Sequence, residues 1–208
     1  MEELAILRAE LAGVLVHGGF PEGAIAVWRQ AIVAAGPSAA LRAMAESGLG
    51  VALYTAGRQA EAERVWVRAC KALAGYAEEQ ASCRFNLAVA RMERENVWGE
   101  LEELLPVLLR VEGALSRATA LLQTARSAYR AGEFGRARTL AEQAEAVVGG
   151  ELSAEHPLMG SVYAIRAEIA ETRGSLKEAR QWRKKAARPR GEGWNKGSVS
   201  VEELKRGR

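Results

Sequence analysis

The chain has 208 residues and contains no aspartate, since all 26 acidic residues are glutamate. Aspartate commonly orients a catalytic histidine and commonly binds metal ions. The two histidines, His17 and His156, have no second ligand residue three or four positions away, whereas a metal site needs several ligands that converge. The sequence therefore predicts no catalytic residues, no metal site and no cofactor, and the expected protein is not an enzyme.

Long apolar runs are also missing. None approaches the roughly 20 residues that cross a bilayer. The first ten residues, "MEELAILRAE", are acidic and lack the basic start of a signal peptide. We therefore expect a cytoplasmic protein that does not contact membranes.

Cysteine is scarce. Cys70 and Cys83 are the only two, they lie on separate helical patterns, and their spacing is not C-x-x-C. We interpret them as buried, reduced thiols. A disulfide between them is the alternative.

What the sequence does contain is a repeat built around a glycine. In "VHGGFPEGAIAVWRQAI" Gly19 is followed at +5, +9 and +12 by alanine, tryptophan and alanine, and Gly57 has the same followers in "YTAGRQAEAERVWVRAC". Two further copies start at Gly132 and Gly174. Such a glycine typically ends a helix in a left-handed cap. Small residues at +5 and +12 let a second helix approach the first, and the large residue at +9 fills the groove to its neighbour.

Each copy therefore predicts a helical hairpin whose apolar face is buried only by stacking on the next hairpin. The apolar periodicity predicts ten helices in five pairs, over 2–17 and 21–35, 38–56 and 59–75, 77–94 and 97–113, 115–131 and 134–149, and 155–173 and 176–188. The third pair is degenerate, because Glu95 replaces the turn glycine and Pro106 interrupts the second helix.

The second copy carries the clearest family resemblance. Its Leu49-Gly50, Leu53, Gly57, Ala62, Trp66 and Ala69 resemble the L-G-x-x-Y and A-x-x-x-F-x-x-A positions of the tetratricopeptide repeat (TPR) family. The resemblance covers roughly residues 5–189; in the fifth copy Arg166 stands where the family has leucine. It implies an all-α, right-handed superhelical array (α-solenoid) of five hairpins, in which the first helices line a concave groove for peptides.

Carried over by position, the resemblance implies a peptide-binding surface. Its predicted residues are Met44, Tyr54, Phe85, Asn86, Val89, Met92, Gln123, Arg126, Tyr129 and Arg130. Packing between helices is the alternative role for each of them. Family members that bind chaperone tails need lysine and asparagine where Ala9 and Gly13 stand here. A peptide with apolar anchors and one acidic group suits the predicted surface better.

The C-terminal end is basic. Residues 173–208 contain 12 basic and 4 acidic residues, net +8, whereas the whole chain carries +3, so the rest carries 3 − 8 = −5. We predict a repeat domain over 1–189 and, over 190–208, a linker with a short helix at 201–206. The basic end could simply keep the last helix soluble.

Two other roles for this end stay open. The first is the alternative function, in which the chain is a regulatory protein whose basic end contacts nucleic acid. Because only Trp194 offers base stacking there, nucleic acid is not the favoured partner. In the second, the tail folds into the groove of its own or a neighbouring copy, which would produce self-association. The favoured function is an adaptor or scaffold for a protein or peptide partner.

Overall fold

A computed structural model describes residues 2–111 and 113–187. Within them lie ten α-helices and no strand. The helices are α1 (Glu2–His17), α2 (Pro21–Ala34), α3 (Ala39–Thr55), α4 (Gln59–Ala72), α5 (Ala77–Arg91), α6 (Trp98–Val111), α7 (Ala114–Arg130), α8 (Phe134–Val147), α9 (Leu158–Thr172) and α10 (Leu176–Ala186). All ten predicted helices are present, and a π-helical turn over Val148–Leu152 follows α8. The predictions about the linker, Trp194 and the helix at 201–206 lie outside the described residues.

Consecutive helices pair as five hairpins, α1 with α2 through α9 with α10. Four of the hairpins turn at a glycine with positive φ, namely Gly19 (80°), Gly57 (78°), Gly132 (85°) and Gly174 (75°). After each glycine the next N–H donates to the carbonyl five residues earlier, as Arg58 does to Leu53 at 2.9 Å. Together with the hydrogen bond from the glycine N–H itself, as from Gly57 to the Tyr54 carbonyl at 3.0 Å, this contact closes the helix end. The predicted left-handed glycine turns are therefore confirmed.

The third hairpin turns differently. The N–H groups of Arg94 and Glu95 both donate to the Arg91 carbonyl, at 2.8 and 3.0 Å, and no described non-glycine residue has positive φ. The prediction that Pro106 interrupts the second helix is wrong, because α6 runs through it. Pro106 is exposed, while Leu101 and Leu104 on the opposite side of the helix are buried; their burial compensates for the lost hydrogen bond.

The chain divides after Val111 into two compact units. The first unit holds α1–α6. In its core two tryptophans lie against helical glycines: the Trp28 ring against Gly48 and the Trp66 ring against Gly50. A glycine in a helix interior is unfavourable in itself, so these two positions are explained by the rings that occupy the space of a side chain.

The two cysteines form a disulfide, so the prediction of reduced thiols is wrong, although both side chains are buried as expected. Cys70 lies in the last turn of α4 and Cys83 in the second turn of α5, with Cα atoms 5.5 Å apart. The short connection between the helices brings these turns together at a distance that a disulfide can bridge. Disulfides are typical of oxidising compartments, so the cytoplasmic location stays a prediction.

The second unit holds α7–α10 and the π-helical turn. Its core contains buried aliphatic residues of three helices, among them Leu121, Leu140 and Ile165. Within this unit α9 packs against both helices of the preceding hairpin, α7 and α8, as well as against its partner α10. The first helix of a hairpin thus has one face towards the previous hairpin, one towards its partner and one left for solvent.

Candidate peptide-binding surface

The solvent-facing stripe of the first helices in a unit is called here the first-helix face of that unit. In the first unit it comprises Met44, Ser47, Val51 and Tyr54 on α3 and Asn86 and Val89 on α5. In the second unit it comprises Arg126, Tyr129 and Arg130 on α7 and Ala164 and Glu168 on α9. On α3 the spacing of three, four and three residues places its members on one side of the helix. All four are half-buried. Met44 and Tyr54 pack on the edge of the first unit's core, and the Tyr54 ring centroid lies 6.0 Å from that of Trp66.

The four predicted residues of α5 differ in accessibility. Asn86 and Val89 are half-buried, whereas Phe85 is 6% and Met92 9% exposed. Phe85 and Met92 therefore support this part of the surface from below, and a partner would meet Asn86 and Val89.

The predicted residues of α7 lie in the second unit. Gln123, Arg126 and Tyr129 are half-buried and Arg130 is exposed. The Tyr129 hydroxyl shares a 2.8 Å hydrogen bond with the Thr172 hydroxyl of α9, and its ring meets Phe134 edge-on at 5.5 Å. Tyr129 is thus held in place by its own unit and offers a partner only the remaining part of its ring.

Arg126 stands out among the arginines. It is the one half-buried arginine, within residues 2–111 and 113–187, whose guanidinium has neither a hydrogen bond nor an ion pair. The other half-buried arginines all have acceptors: Arg8 with the Gln30 carbonyl, Arg58 with Glu61, Arg84 with Glu100, Arg91 with Glu63, Arg117 with Glu151 and Arg166 with Glu145. A partly desolvated cation gains from an anionic partner, so Arg126 is an available anion contact.

Glu168 occupies the equivalent position of α9, because 168 − 126 equals the spacing of the turn glycines, 174 − 132. It is exposed, and its carboxylate forms no ion pair with a described residue. The helices α7 and α9 are in contact, and packed helix axes lie about 8–10 Å apart. The second unit therefore presents an arginine and a glutamate on adjacent helices, neither of them neutralised by a neighbour.

The fold is similar to that of solved structures, although the sequence matches no known family. No protein-family model and no curated protein matches the sequence. The solved structure of BtubC (BKLC) from P. vanneervenii is similar with a TM-score of 0.68 at 20% identity, over 96% of this chain and 84% of that chain. A kinesin light chain-type protein of Podosopora anserina with nearly identical TPR-like repeats gives a TM-score of 0.60 at 21% identity, over 91% of this chain and 100% of that chain. A single-substitution variant of that protein gives a TM-score of 0.63 at 21% identity, over 89% of this chain and 95% of that chain.

The chain has the TPR-like fold. The all-α solenoid class predicted from the glycine-centred repeats is thereby confirmed. TPR-like repeats are in general scaffolds for protein partners, because stacked hairpins create extended binding surfaces. At this level of identity the likeness concerns the fold, and the ten predicted site residues stay a prediction.

The departure of the fifth TPR-like repeat from the family pattern has a physical cause. Arg166, at the leucine position, ion-pairs with Glu145 of α8, and its guanidinium lies 4.0 Å from the centroid of the Trp182 ring of α10. Trp182 stacks on Tyr163 at 5.6 Å, and the ammonium of Lys185 lies 4.3 Å from the Trp182 centroid. Arg166 thus joins three helices through charge and ring contacts instead of aliphatic packing.

Sequence reasoning missed the cleft beside this cluster. It has a volume of about 270 Å³, and its lining residues are Arg138, Glu142, Arg166, Ile169, Ala170, Arg173, Glu178 and Trp182. Trp182 lies one position before the +9 site of the repeat, so the alignment on glycines did not mark it. Two of the lining arginines, Arg138 and Arg166, are ion-paired with Glu142, and the cleft lies outside the first-helix face.

The ion pair between Arg58 and Glu61 also belongs to the scaffold. Arg58 donates two hydrogen bonds to Glu61, at 2.8 and 2.7 Å. These bonds first, and then the charge of Arg58, hold the pKa of Glu61 below its ordinary value despite some desolvation. Neither residue is among the predicted site residues.

No cluster of three or more histidine, cysteine or acidic side chains lies close enough to hold a metal ion within the described ranges. His17 contacts the Gly13 carbonyl through Nδ1 at 2.8 Å, and His156 Nδ1 accepts the Leu158 N–H at 3.2 Å. Both histidines therefore take part in local contacts at helix ends. Of the described helices, none is long and apolar enough to cross a membrane.

Proposed function

We propose that the chain is a non-enzymatic adaptor that binds a peptide segment of a protein partner on the first-helix face of its second unit. The observation that carries the proposal is the half-buried guanidinium of Arg126, which has no hydrogen bond or ion pair with any residue that the structure describes. Half-burial removes part of the water around the cation, and an intramolecular anion normally replaces it. An acidic group of a partner would supply that anion with a charge-assisted hydrogen bond.

The neighbouring helix defines the partner further. Glu168, at the equivalent position, suits a basic group at about one helix spacing, or roughly 8–10 Å, from the acidic group. Apolar side chains of the peptide would contact the accessible part of the Tyr129 ring, which is half-buried in the same unit. The expected ligand is therefore a segment with apolar anchors and separated charges of both signs.

The nucleic-acid alternative has less support. Of the basic residues of α10, Arg183 is ion-paired with Glu171 at 2.7 Å and Lys185 lies over the Trp182 ring. Both are engaged within the protein, so fewer cations are left for phosphates. If nucleic acid were the partner, affinity for a labelled RNA or DNA duplex would fall steeply between low and high salt.

The test is selection of random displayed peptides on the immobilised full chain. We compare wild type with Arg126→Glu and with Arg68→Glu, a control that makes the same charge change at an exposed arginine of α4. Acidic, apolar-anchored peptides should be enriched by wild type and by the control but not by Arg126→Glu. Equal enrichment on all three chains would contradict the site, and no enrichment on wild type would contradict the function.

A further inference from the structure

The first helix carries an uncovered apolar stripe. Leu4, Leu7, Leu11 and Val14 are 42%, 57%, 51% and 68% exposed. Their spacing of three, four and three residues places them on one side of α1, in the pattern of a helix-pairing seam. Single exposed leucines are ordinary on protein surfaces, but a continuous stripe of four indicates an interaction site. These four residues are called here the α1 stripe.

The repeat register shows what this stripe is built for. A shift of 38 residues, from Gly19 to Gly57, places Leu7, Leu11 and Val14 on Ala45, Leu49 and Ala52 of α3, all buried. A shift of 155, from Gly19 to Gly174, places Leu4, Leu7 and Val14 on Met159, Val162 and Ile169 of α9, which are also buried. Both α3 and α9 pack against the preceding hairpin, and burial of these positions is consistent with that packing. In α1 no described hairpin covers these positions.

The last described helix, α10, does not fit this stripe. In the first hairpin, Ile25 and Trp28 of α2 face the next hairpin, and the residues at the same positions of α10 are Arg180 and Arg183. Stacking α10 of one copy on α1 of another would bury arginines against leucines, which is unfavourable. The stripe therefore does not bind the α10 end of another copy in a head-to-tail array.

The stripe is, by contrast, complementary to itself. Antiparallel pairing of two α1 helices sets Leu4 opposite Val14 and Leu7 opposite Leu11, because both pairs sum to 18. Parallel pairing sets each residue opposite its own copy. Either arrangement closes around a two-fold axis and puts only apolar side chains at the centre.

We propose that two copies of the chain associate through the α1 stripe as a two-fold symmetric dimer. One helical stripe is a small interface, so we expect dissociation constants in the micromolar range. This inference concerns the outer face of the first hairpin and is independent of peptide binding on the first-helix face.

The test is sedimentation equilibrium of the full chain up to about 200 µM, the concentration that a micromolar dimer requires. We compare wild type with Leu7→Glu/Leu11→Glu and with Ile6→Glu. Ile6 is 48% exposed on the same helix but lies about 100° or more around the axis from both leucines. Because all three residues are exposed, circular dichroism should show the same helix content in each variant. Val14→Lys provides a second disruption at the most exposed position of the stripe.

We expect concentration-dependent dimers for wild type and Ile6→Glu. For the double variant and for Val14→Lys we expect the dimer dissociation constant to rise by roughly 30-fold or more. A wild-type chain that stays monomeric up to about 200 µM would overturn the proposal. So would equal effects of Ile6→Glu and Leu7→Glu/Leu11→Glu, or open-ended assemblies larger than a dimer.

Discussion

The indole ring of Trp66 occupies the space that a side chain on Gly50 would need. A Cβ on Gly50 would lie 2.4 Å from Trp66 Nε1 and 2.6 Å from Cε2, well inside van der Waals contact. The same ring donates its N–H to the Ser47 carbonyl at 3.0 Å. Helices α3 and α4 are thus brought together by one residue without a side chain and one with the largest.

Gly50→Ala should destabilise the protein by about 1–3 kcal/mol, because the added methyl group collides with a ring that is buried on all sides. The better helix propensity of alanine offsets only part of this loss. Gly13→Ala is the matched control, since nothing lies within 4 Å of its Cβ position. The control should stabilise the chain by about 0.5–1 kcal/mol. Urea unfolding of both variants measures the two changes, and a neutral or stabilising Gly50→Ala would refute the close approach.

The two core tryptophans should respond differently to removal of the indole N–H. Trp66 Nε1 has the Ser47 carbonyl as acceptor, whereas Trp28 Nε1 is buried and has no partner among the described residues. Trp66→Phe should therefore cost about 1–2 kcal/mol more than Trp28→Phe. Denaturant midpoints of the two variants test this order. Equal losses would mean that the hydrogen bond contributes nothing and that only ring volume matters.

The disulfide should contribute roughly 3 kcal/mol to the unfolding free energy, since it closes a short loop with a sequence separation of 13. Adding a reductant should lower the urea midpoint of wild type and leave Cys70→Ala/Cys83→Ala unchanged. Thiol labelling of the denatured chain should find no free thiol before reduction and two afterwards, because the sequence has two cysteines. Two labelled thiols without reductant would show that the cysteines are not bonded.

The helices were predictable because local signals agree with tertiary packing. Gly57 predicts a turn, and Ala62 and Ala69 predict the face that packs on the preceding helix. Gly57 has a positive φ and both alanines are fully buried, as those roles require. Trp66 was expected in the groove to the neighbouring hairpin, but its ring lies against Gly50 of its own hairpin. The disulfide was not predictable, because Cys70 and Cys83 come together through the angle between α4 and α5, which spacing along the chain does not specify.

The surface was harder to predict than the fold. Register assigns Phe85 and Val89 to the same solvent-facing stripe, yet only Val89 keeps accessible surface. The difference depends on the side-chain packing around each residue, which a sequence pattern with a period of one helix turn does not describe. The sequence pattern predicted that Arg126 lies on the equivalent stripe of α7. It could not predict that the Arg126 guanidinium has no acceptor among its described neighbours, because that too depends on side-chain packing.

The contact between Arg166 and Trp182 should be measurable as a coupling energy. Arg166→Leu restores the residue typical of TPR repeats, but it removes the cation that lies over the Trp182 ring and leaves Glu145 without its ion pair. A double-mutant cycle with Trp182→Ala separates the two effects, because the Glu145 contribution cancels. We expect a coupling of about 0.5–2 kcal/mol between Arg166 and Trp182.

The control cycle pairs Arg166→Leu with Lys177→Ala. Lys177 is exposed on the same helix as Trp182, so its coupling to Arg166 should stay within about 0.5 kcal/mol of zero. Urea unfolding of the single and double variants gives both couplings. If the two cycles gave the same value, the arginine would act through its ion pairs with Glu145 and Glu142 and not through the ring. The leucine variant would then be destabilised only by the loss of those partly exposed ion pairs, each of which is typically worth about 1 kcal/mol or less.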